Sequence, residues 1–159
     1  MKKLARITLT ITFLAVLLAA LSPVAHAANC STATVAGNWG FTLSGTLLTP
    51  AGPVPAAAVG RVAVDNQGNG LGTENRNVGG QYADETLTAT WTVKPDCTGT
   101  LNANIYENGQ LTRISVTTIV FDDNARHFRM VQKSLTLPNG TQLPVVITLD
   151  GRKQSQGNN

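Results

Sequence analysis

The stretch TLTATWTVKPDCTGTL, residues 86–101, combines a regular alternation with a tight bend. Apolar residues occupy every second position and threonines fill the positions between them: Leu87, Ala89, Trp91 and Val93 against Thr86, Thr88, Thr90 and Thr92. Because successive side chains of a β-strand point to opposite faces, this alternation predicts a strand with one buried face and one solvated face. The Pro-Asp-Cys-Thr-Gly sequence that follows is typical of a turn into the next strand.

Turn signals of this kind recur at short intervals along the rest of the chain. Asn-Gly and Asp-rich turns adopt positive φ angles at low cost and close tight hairpins. The runs between the turns predict eight strands, near residues 37–48, 56–65, 70–79, 81–94, 98–107, 110–122, 125–137 and 141–150. They predict an all-β fold, a single eight-stranded antiparallel up-and-down barrel, with a two-sheet β-sandwich as the alternative.

Two segments depart from the strand pattern. The proline- and alanine-rich run TPAGPVPAAAVG, residues 49–60, is expected to form a longer loop over one end of the barrel, because proline lacks the N–H that a central strand donates. The polar tail RKQSQGNN, residues 152–159, is expected to be disordered. The barrel domain is therefore assigned to residues 28–151.

The first 27 residues have the composition of a cleaved signal peptide. A basic start is followed by an apolar stretch over residues 11–21 and by the small-residue pattern Ala25-His26-Ala27. This order predicts cleavage after Ala27 and a secreted or periplasmic protein, and the short Met-Lys-Lys start indicates a bacterial host. The apolar stretch is short for spanning a bilayer, so we expect no stable membrane insertion after cleavage.

Removal of the signal leaves a nearly neutral chain of 132 residues, long enough for one domain with a hydrophobic core. The sequence has 12 lysines and arginines and 9 aspartates and glutamates, and three of the basic residues lie in the signal. Nine basic residues then balance nine acidic ones. Because no basic patch remains, we expect no nucleic-acid partner.

Cys30 and Cys97 are the two cysteines of the sequence. In an exported protein an even pair predicts a disulfide, which would tie the N-terminal arm to the turn at Cys97. Closing a loop of this length stabilises a fold by about 4 kcal/mol in the chain-entropy description. With His127 as the one histidine outside the signal, these residues do not make a metal set, and neither a metal nor a cofactor is predicted.

Gly37-Asn38-Trp39, at the start of the first predicted strand, resembles the G-x-W motif of the calycins, the superfamily of lipocalins and avidins. Avidin-like proteins also place a cysteine just ahead of this motif, as Cys30 is placed here. The resemblance implies a barrel whose closed end is plugged by Trp39, an apolar interior and a small hydrophobic ligand. It also implies a basic residue from the last strand over the tryptophan, for which Arg152 is the match, although it lies past the predicted strand end.

A second resemblance covers most of the chain after the signal. The segments GNWGFTLSGT (37–46), VGRVAVDNQGNGLGT (59–73) and TWTVKPDCTGTL (90–101) are similar to a group of small exported bacterial proteins. Those proteins share a G-x-W/Y…D-x-x-G-x-G…D-C-T-G-T pattern. No activity is carried over from this group.

The predicted inward faces supply the candidate ligand-binding residues. Apolar side chains on these faces would line or plug the barrel: Trp39, Phe41, Leu43, Leu87, Trp91 and Leu101. Small inward residues would leave room for a cavity, although bulky neighbours could also fill it: Ala58, Gly60, Ala89 and Ala103.

Arg113 is a further candidate, because both faces of QLTRISVTTIVF, residues 110–121, are partly apolar. If the face with Leu111 and Phe121 points inward, Arg113 lines the cavity and can orient a ligand carboxylate. If the opposite face points inward, Arg113 is solvated. We favour the solvated position here, because burying an unpaired charge is costly.

No catalytic residue is assigned from the sequence. His127 alternates with Phe128 and Met130, whose apolar face should point inward, so we expect His127 on the solvated surface. Charged residues near the turns are interpreted as aids to solubility: Glu74, Arg76, Asp84, Glu85 and Glu107. The sequence has no nucleophile elbow, phosphate-binding loop, dinucleotide fingerprint or zinc spacing.

The combined pattern favours an exported, non-enzymatic β-barrel that binds a small apolar ligand in its interior. One alternative is an envelope or extracellular interaction protein whose barrel is filled by its own side chains. The other is an enzyme of the cyclase or isomerase type that uses Arg113 or His127. The identity of protein partners stays open at this point.

We predict that the exported protein begins at Ala28, because the small-residue pattern ends at Ala27. Intact-mass measurement of the protein recovered from the exported fraction checks this prediction. The expected mass is that of residues 28–159 less two hydrogens for the disulfide. A mass that still includes residues 1–27 would contradict it.

Overall fold

The computed structural model describes residues 30–155, so the predicted signal peptide and its cleavage site lie outside the described residues, as do residues 156–159. The described chain forms one short helix and nine strands: α1 (Thr32–Val35), β1 (Gly37–Thr49), β2 (Gly52–Val64), β3 (Asn69–Val78), β4 (Gln81–Val93), β5 (Thr98–Glu107), β6 (Gln110–Asp122), β7 (His127–Thr136), β8 (Gln142–Leu143) and β9 (Val145–Lys153).

The sheet closes on itself. Strands β1 to β6 pair in sequence order, each antiparallel to the next, and β6 pairs with β7, β7 with β9 and β9 with β1. The two-residue strand β8 adds to β7. The predicted eight-stranded up-and-down barrel is confirmed and the β-sandwich is wrong. Closure pairs the eight barrel strands on both sides, and among the described strands only the two-residue β8 keeps a free edge.

The proline-rich segment does not form the expected loop. Residues 52–64 form β2, which pairs with β1 from Gly52 onward. The Pro55 carbonyl points toward β3 and accepts a hydrogen bond from Gly79 N–H (2.9 Å). The Pro55 nitrogen points to the same side, where β3 has already ended at Val78, so no hydrogen bond is lost there. Pro53 has the same orientation two residues earlier. The prolines are tolerated because they remove no hydrogen bond to β1.

The end of the chain also differs from expectation. Pro144 separates β8 from β9, so the predicted strand over 141–150 is divided into two pieces. Strand β9 continues through Arg152 and Lys153, two residues into the segment expected to be a polar tail. Lys153 pairs in register with Trp39 of β1, so these last residues complete the barrel wall.

Alternation places the side chains as the sequence predicts. In β4, Leu87, Ala89 and Trp91 are buried and the threonines between them are exposed. In β1, Trp39 and Phe41 are buried on the inner face. The interior is therefore built from every second residue of each strand.

Helix α1 and the turns near residues 65–68, 94–97 and 123–126 cover one end of the barrel, which we call the closed end. Ser31 caps α1: its side chain accepts a hydrogen bond from Thr34 N–H, and the Thr34 side chain accepts one from Ser31 N–H. Val35, on the last turn of α1, is fully buried. Its carbonyl accepts a hydrogen bond from Trp39 Nε1–H (2.9 Å), which fixes the indole under the helix.

Four aromatic rings fill the barrel beneath this helix. Trp39, Trp91, Phe121 and Phe128 lie with ring centroids 5.2 to 6.4 Å apart in tilted and edge-on arrangements. Such contacts stabilise beyond the burial of area alone. Phe128 lies across Gly151 of β9, where an added Cβ would come within 2.2 Å of the ring, so the glycine makes room for it.

The basic residue over Trp39 is Lys153, and the assignment to Arg152 is wrong. Lys153 Nζ lies 6.0 Å from the Trp39 ring centroid and donates a hydrogen bond to the Thr34 carbonyl (3.1 Å). Arg152 points outward and is exposed, 3.7 Å from Asp123. Lys153 replaces Arg152 in this role because β9 extends to Lys153, and the alternation along β9 directs Gly151 and Lys153 inward and Arg152 outward.

The predicted disulfide between Cys30 and Cys97 is confirmed. Cys97 lies in the turn between β4 and β5 with φ of 64°, so the turn directs it toward the N-terminal arm. Cys30 is buried in the core at the closed end. The bond joins positions 67 residues apart and holds α1 over the aromatic rings. A disulfide is compatible with an oxidising compartment outside the cytosol. Within residues 30–155, no helix has the length and apolar character needed to cross a membrane.

Replacing both cysteines with serine should lower the free energy of unfolding by about 4 kcal/mol, because the unfolded chain regains the freedom of the closed loop. Urea denaturation followed by tryptophan fluorescence measures the change. The unmutated protein under reducing conditions is the control and should match the double variant. An unchanged midpoint would mean that the aromatic rings hold α1 without help.

Candidate functional site

The interior between the aromatic rings and the opposite end of the barrel encloses a cavity of about 180 Å³. Its wall is mainly apolar and includes six of the residues selected from the sequence: Phe41, Leu43, Leu87, Trp91, Leu101 and Arg113. The seventh, Trp39, does not line the cavity and instead fills the closed end beneath α1.

Small inward residues leave this space unfilled. Ala58, Ala89 and Ala103 all line the cavity, and each ends at Cβ where a larger side chain would reach across the barrel. Gly60 lies under the Phe41 ring, where an added Cβ would come within 2.4 Å of Phe41 Cζ. The bulky rings at one end and the small residues at mid-barrel therefore produce a barrel that is packed in one half and hollow in the other.

The cavity faces the end of the barrel opposite α1, which we call the hairpin end. Four connections lie there, near residues 50–51, 79–80, 108–109 and 137–144. Inward residues at this end, such as Leu47 and Val78, are half-buried, whereas Trp91 and Phe128 at the other side of the cavity are buried. The cavity is therefore nearer to solvent at the hairpin end than at the closed end.

A buried charge cluster forms part of the cavity wall. The Glu85 side chain is completely buried and accepts a hydrogen bond on each oxygen, from Arg113 Nη2 (2.5 Å) and from Arg76 Nε (3.0 Å). Arg76 also approaches Glu107, which lies nearer the rim with its side chain 40% exposed. Burial opposes ionisation of Glu85, but Arg113 together with Glu74 and Arg76 lowers its pKa.

Glu74 is the second buried carboxyl of the cluster. It pairs in register with Glu85 across β3 and β4, hydrogen-bonds to it, and lies 3.7 Å from Arg113. Burial, followed by the hydrogen bond and the negative charge of Glu85, raises the pKa of Glu74 to about 7. Glu74 therefore carries a proton over much of the pH range in which Glu85 is ionised.

The solvated interpretation of Arg113 is wrong. The face of β6 that contains Ile119 and Phe121 points inward. Arg113 lies on the same face, and its side chain is only 15% exposed. The cost of burying its charge is offset by Glu85, which the sequence argument did not place opposite it.

Glu74, Arg76 and Glu85 were missed because they were interpreted as surface charges near turns. A signal was available in the alternation itself, since Glu85 is in phase with Leu87, Ala89 and Trp91. Extending the inward alternation of β4 from Leu87 back by two residues places Glu85 inside the barrel. In β3 the inward residues on either side of Glu74 are Gly72 and Arg76, which offer no hydrophobic alternation to extend.

His127 lies on the outer surface, away from the cavity, as predicted, but carboxylates cover it. Its Nδ1 lies 2.5 Å from Asp122 and its Nε2 lies 2.8 Å from Asp150, and its side chain is only 13% exposed. Within residues 30–155, no group of three or more His, Cys, Asp or Glu side chains is arranged so that it could hold a metal ion.

Trp91 Nε1 is the one buried side-chain nitrogen or oxygen among the described residues that has no hydrogen-bond partner. Trp91 lines the cavity, and its Nε1 lies close to Gly70, where an added Cβ would be 3.6 Å away. An unpaired buried donor costs about 1–3 kcal/mol.

No protein-family model matches the sequence, and no curated protein matches it. The fold is similar to that of EF1p2_mFAP2b bound to DFHBI, with a TM-score of 0.54 and 11% identity over 79% of this chain and 100% of that chain. It is also similar to a redesigned β-barrel, mFAP1, bound to DFHBI, with a TM-score of 0.50 and 15% identity over 77% and 98%.

A third similar structure is the S-type phycobiliprotein lyase CPES from Guillardia theta, with a TM-score of 0.45 and 8% identity over 81% of this chain and 96% of that chain. At these identities the likeness to the two DFHBI-bound barrels establishes the barrel fold alone.

Glu74 should make the stability of the protein depend on pH. Its pKa rises from 4.5 in the unfolded chain to about 7 in the fold, so the native state holds more protons between these values. Stability should therefore fall as pH rises through this window, by about 3 kcal/mol for a shift of this size. Urea denaturation at about pH 5 and pH 8.5 measures the loss.

Glu74→Gln is the test of this assignment, because it keeps the shape and removes the titration. The variant should lose most of the pH dependence. An equal loss of stability in the variant would assign the pH dependence to other groups.

Proposed function

We propose that this chain is an exported, non-enzymatic β-barrel protein that binds a small apolar ligand in its interior. The observation that carries the proposal is the apolar cavity of about 180 Å³ between the aromatic rings and the hairpin end. A cavity of about 150 Å³ with an apolar wall is sufficient to bind benzene. This one is slightly larger and suits a molecule with an apolar body of one or two rings.

The residues expected to contact the ligand are those of the cavity wall. Phe41, Leu87 and Leu101 supply apolar contacts, and Trp91 supplies a buried N–H donor on the side nearer the closed end. Ligand sites of this type combine a mainly apolar wall with a few polar groups that fix the orientation of the ligand. A ligand with an oxygen acceptor would satisfy Trp91.

Export is part of the proposal. The signal-like residues 1–27 and the Cys30–Cys97 disulfide support a secreted or periplasmic location, because disulfides persist in oxidising compartments. Two barrels of similar fold are bound to DFHBI, which supports the idea that such a barrel accommodates a small molecule.

The alternative functions fit the geometry less well. An interaction protein whose barrel is only a packed core would be less stable with a cavity, because the cavity removes packing contacts that a filled core would make. An enzyme that acts on a molecule in the cavity could not use His127, because this residue lies on the outer surface. Arg113 does line the cavity, but its ion pair with Glu85 suits it to binding an anion rather than to proton transfer.

The small apolar fluorescent probe 1-naphthylamine tests the proposal. We expect it to bind the protein with enhanced fluorescence and to accept energy from Trp91, whose ring lines the cavity. Ala58→Leu should weaken binding tenfold or more, because the added side chain enters the cavity. Ala57→Leu is the matched control, since Ala57 lies next in sequence on the exposed outer face and should leave binding unchanged.

Loss of binding in Ala58→Leu alone supports an interior site. Equal binding by both variants would place the probe on the outer surface. Failure of the unmutated protein to bind the probe would favour the packed-barrel interaction protein and would contradict the proposal.

A further inference from the structure

We infer that the ligand carries one carboxylate, which binds beside Arg113 in competition with Glu74, so that an apolar acid binds together with a proton. This inference rests on the proposed function and adds the chemical class of the ligand. It depends on three charged side chains of the cavity wall, Glu74, Arg76 and Arg113, and on the buried Glu85 that both arginines contact.

The arginines have hydrogen-bonding capacity that their protein partners leave unused. Glu85 accepts hydrogen bonds from Nη2 of Arg113 and from Nε of Arg76, and Glu107 lies near Nη2 of Arg76. In the part of the chain that the structure describes, the Nη1 atoms of both arginines and Nε of Arg113 have no protein hydrogen bond. Because both arginines line the cavity, a carboxylate in it can accept from them.

The charge balance also favours an anion. On the inner face, ionisable groups near Glu74 come from β3, β4, β5 and β6: Arg76, Glu85, Glu107 and Arg113. The inner faces of β1, β2, β7 and β9 contribute none around the cavity, since Lys153 lies at the closed end. With Glu74 protonated, two half-buried arginines face the buried carboxylate of Glu85, and a second carboxylate, Glu107, lies 3.7 Å from Arg76 at the partly solvated rim.

Glu74 occupies the place where the ligand carboxylate would bind. It is buried and lines the cavity, but its Oε1 is 3.7 Å from Arg113 Nη2, beyond normal hydrogen-bond length. A ligand carboxylate can approach Arg113 more closely than this. Two carboxylates beside Glu85 cannot both remain ionised without a large repulsion, so Glu74 must be neutral when the acid is bound.

The pH dependence of binding follows from this competition. Below about pH 7 Glu74 already carries its proton, so the affinity for the acid should be nearly constant while the acid itself stays ionised. Above that value each binding event takes up about one proton, and the affinity should fall by up to tenfold for each pH unit. A neutral ligand of the same shape should show neither effect.

Calorimetric titration with 3-phenylpropionate and with 3-phenyl-1-propanol tests the inference, because the two probes share one apolar body. At about pH 6 we expect the acid to bind at least tenfold more tightly than the alcohol. Between about pH 6 and pH 8.5 its affinity should fall 10- to 30-fold. Titrations at the higher pH in two buffers of different ionisation enthalpy should report uptake of about one proton.

Two isosteric variants identify the group responsible. Glu74→Gln should bind the acid without pH dependence and without proton uptake. Asp84→Asn, which changes an exposed carboxylate on the outer face of β4 beside Glu85, should retain both effects. Circular dichroism of each variant verifies the fold.

Equal affinity for the acid and the alcohol would overturn the inference while leaving an apolar binding site in place. Pronounced pH dependence that persists in Glu74→Gln would also overturn it. Failure of both probes, together with failure of the naphthylamine probe, would instead reject the interior site on which the proposed function depends.

Discussion

The volume inside a closed eight-stranded sheet is the constraint on which the rest of the structure depends. Closure pairs the backbone of every barrel strand. It also fixes the volume of the interior, which the side chains either fill or leave as a cavity. At the closed end Trp39, Trp91, Phe121 and Phe128 fill it, and the disulfide holds α1 above them. Toward the hairpin end the inward residues include alanine and glycine, and the interior opens into a cavity. One half of the barrel thus supplies stability and the other half supplies the site.

The charged residues in this hollow half are more costly than apolar ones would be. A carboxylate with no exposed surface is sustained only because two arginines bind its two oxygens, and removing either partner would leave a buried charge unpaired. Burial, followed by the neighbouring Glu85, raises the pKa of a second carboxyl, Glu74, to about 7. Pairs of carboxyls whose pKa values are pushed apart in this way are common at functional sites. In this barrel the pair lies against an otherwise apolar wall, where it can select among small molecules by charge.

Much of the fold could be predicted because alternation and turn chemistry act locally. Leu87, Ala89 and Trp91 fix the phase of β4, and the Asn-Gly and Asp-rich turns fix where strands end. The prolines of residues 52–55 led to the wrong prediction of a loop. A strand tolerates proline where no neighbouring strand needs its N–H, and here that depends on where β3 ends. The charge cluster was missed for a similar reason. A buried arginine is acceptable only opposite a carboxylate, and the register that places Glu85 near Arg113 involves strands far apart in sequence.

A crystal structure of the protein soaked with 3-(4-bromophenyl)propionate, recorded at the bromine absorption edge, tests the central claim most directly. The account predicts an anomalous bromine peak among the apolar residues of the cavity and a carboxylate within hydrogen-bond distance of Arg113. A structure in which the protein's own side chains fill the interior, with bromine only on the outer surface, would contradict it.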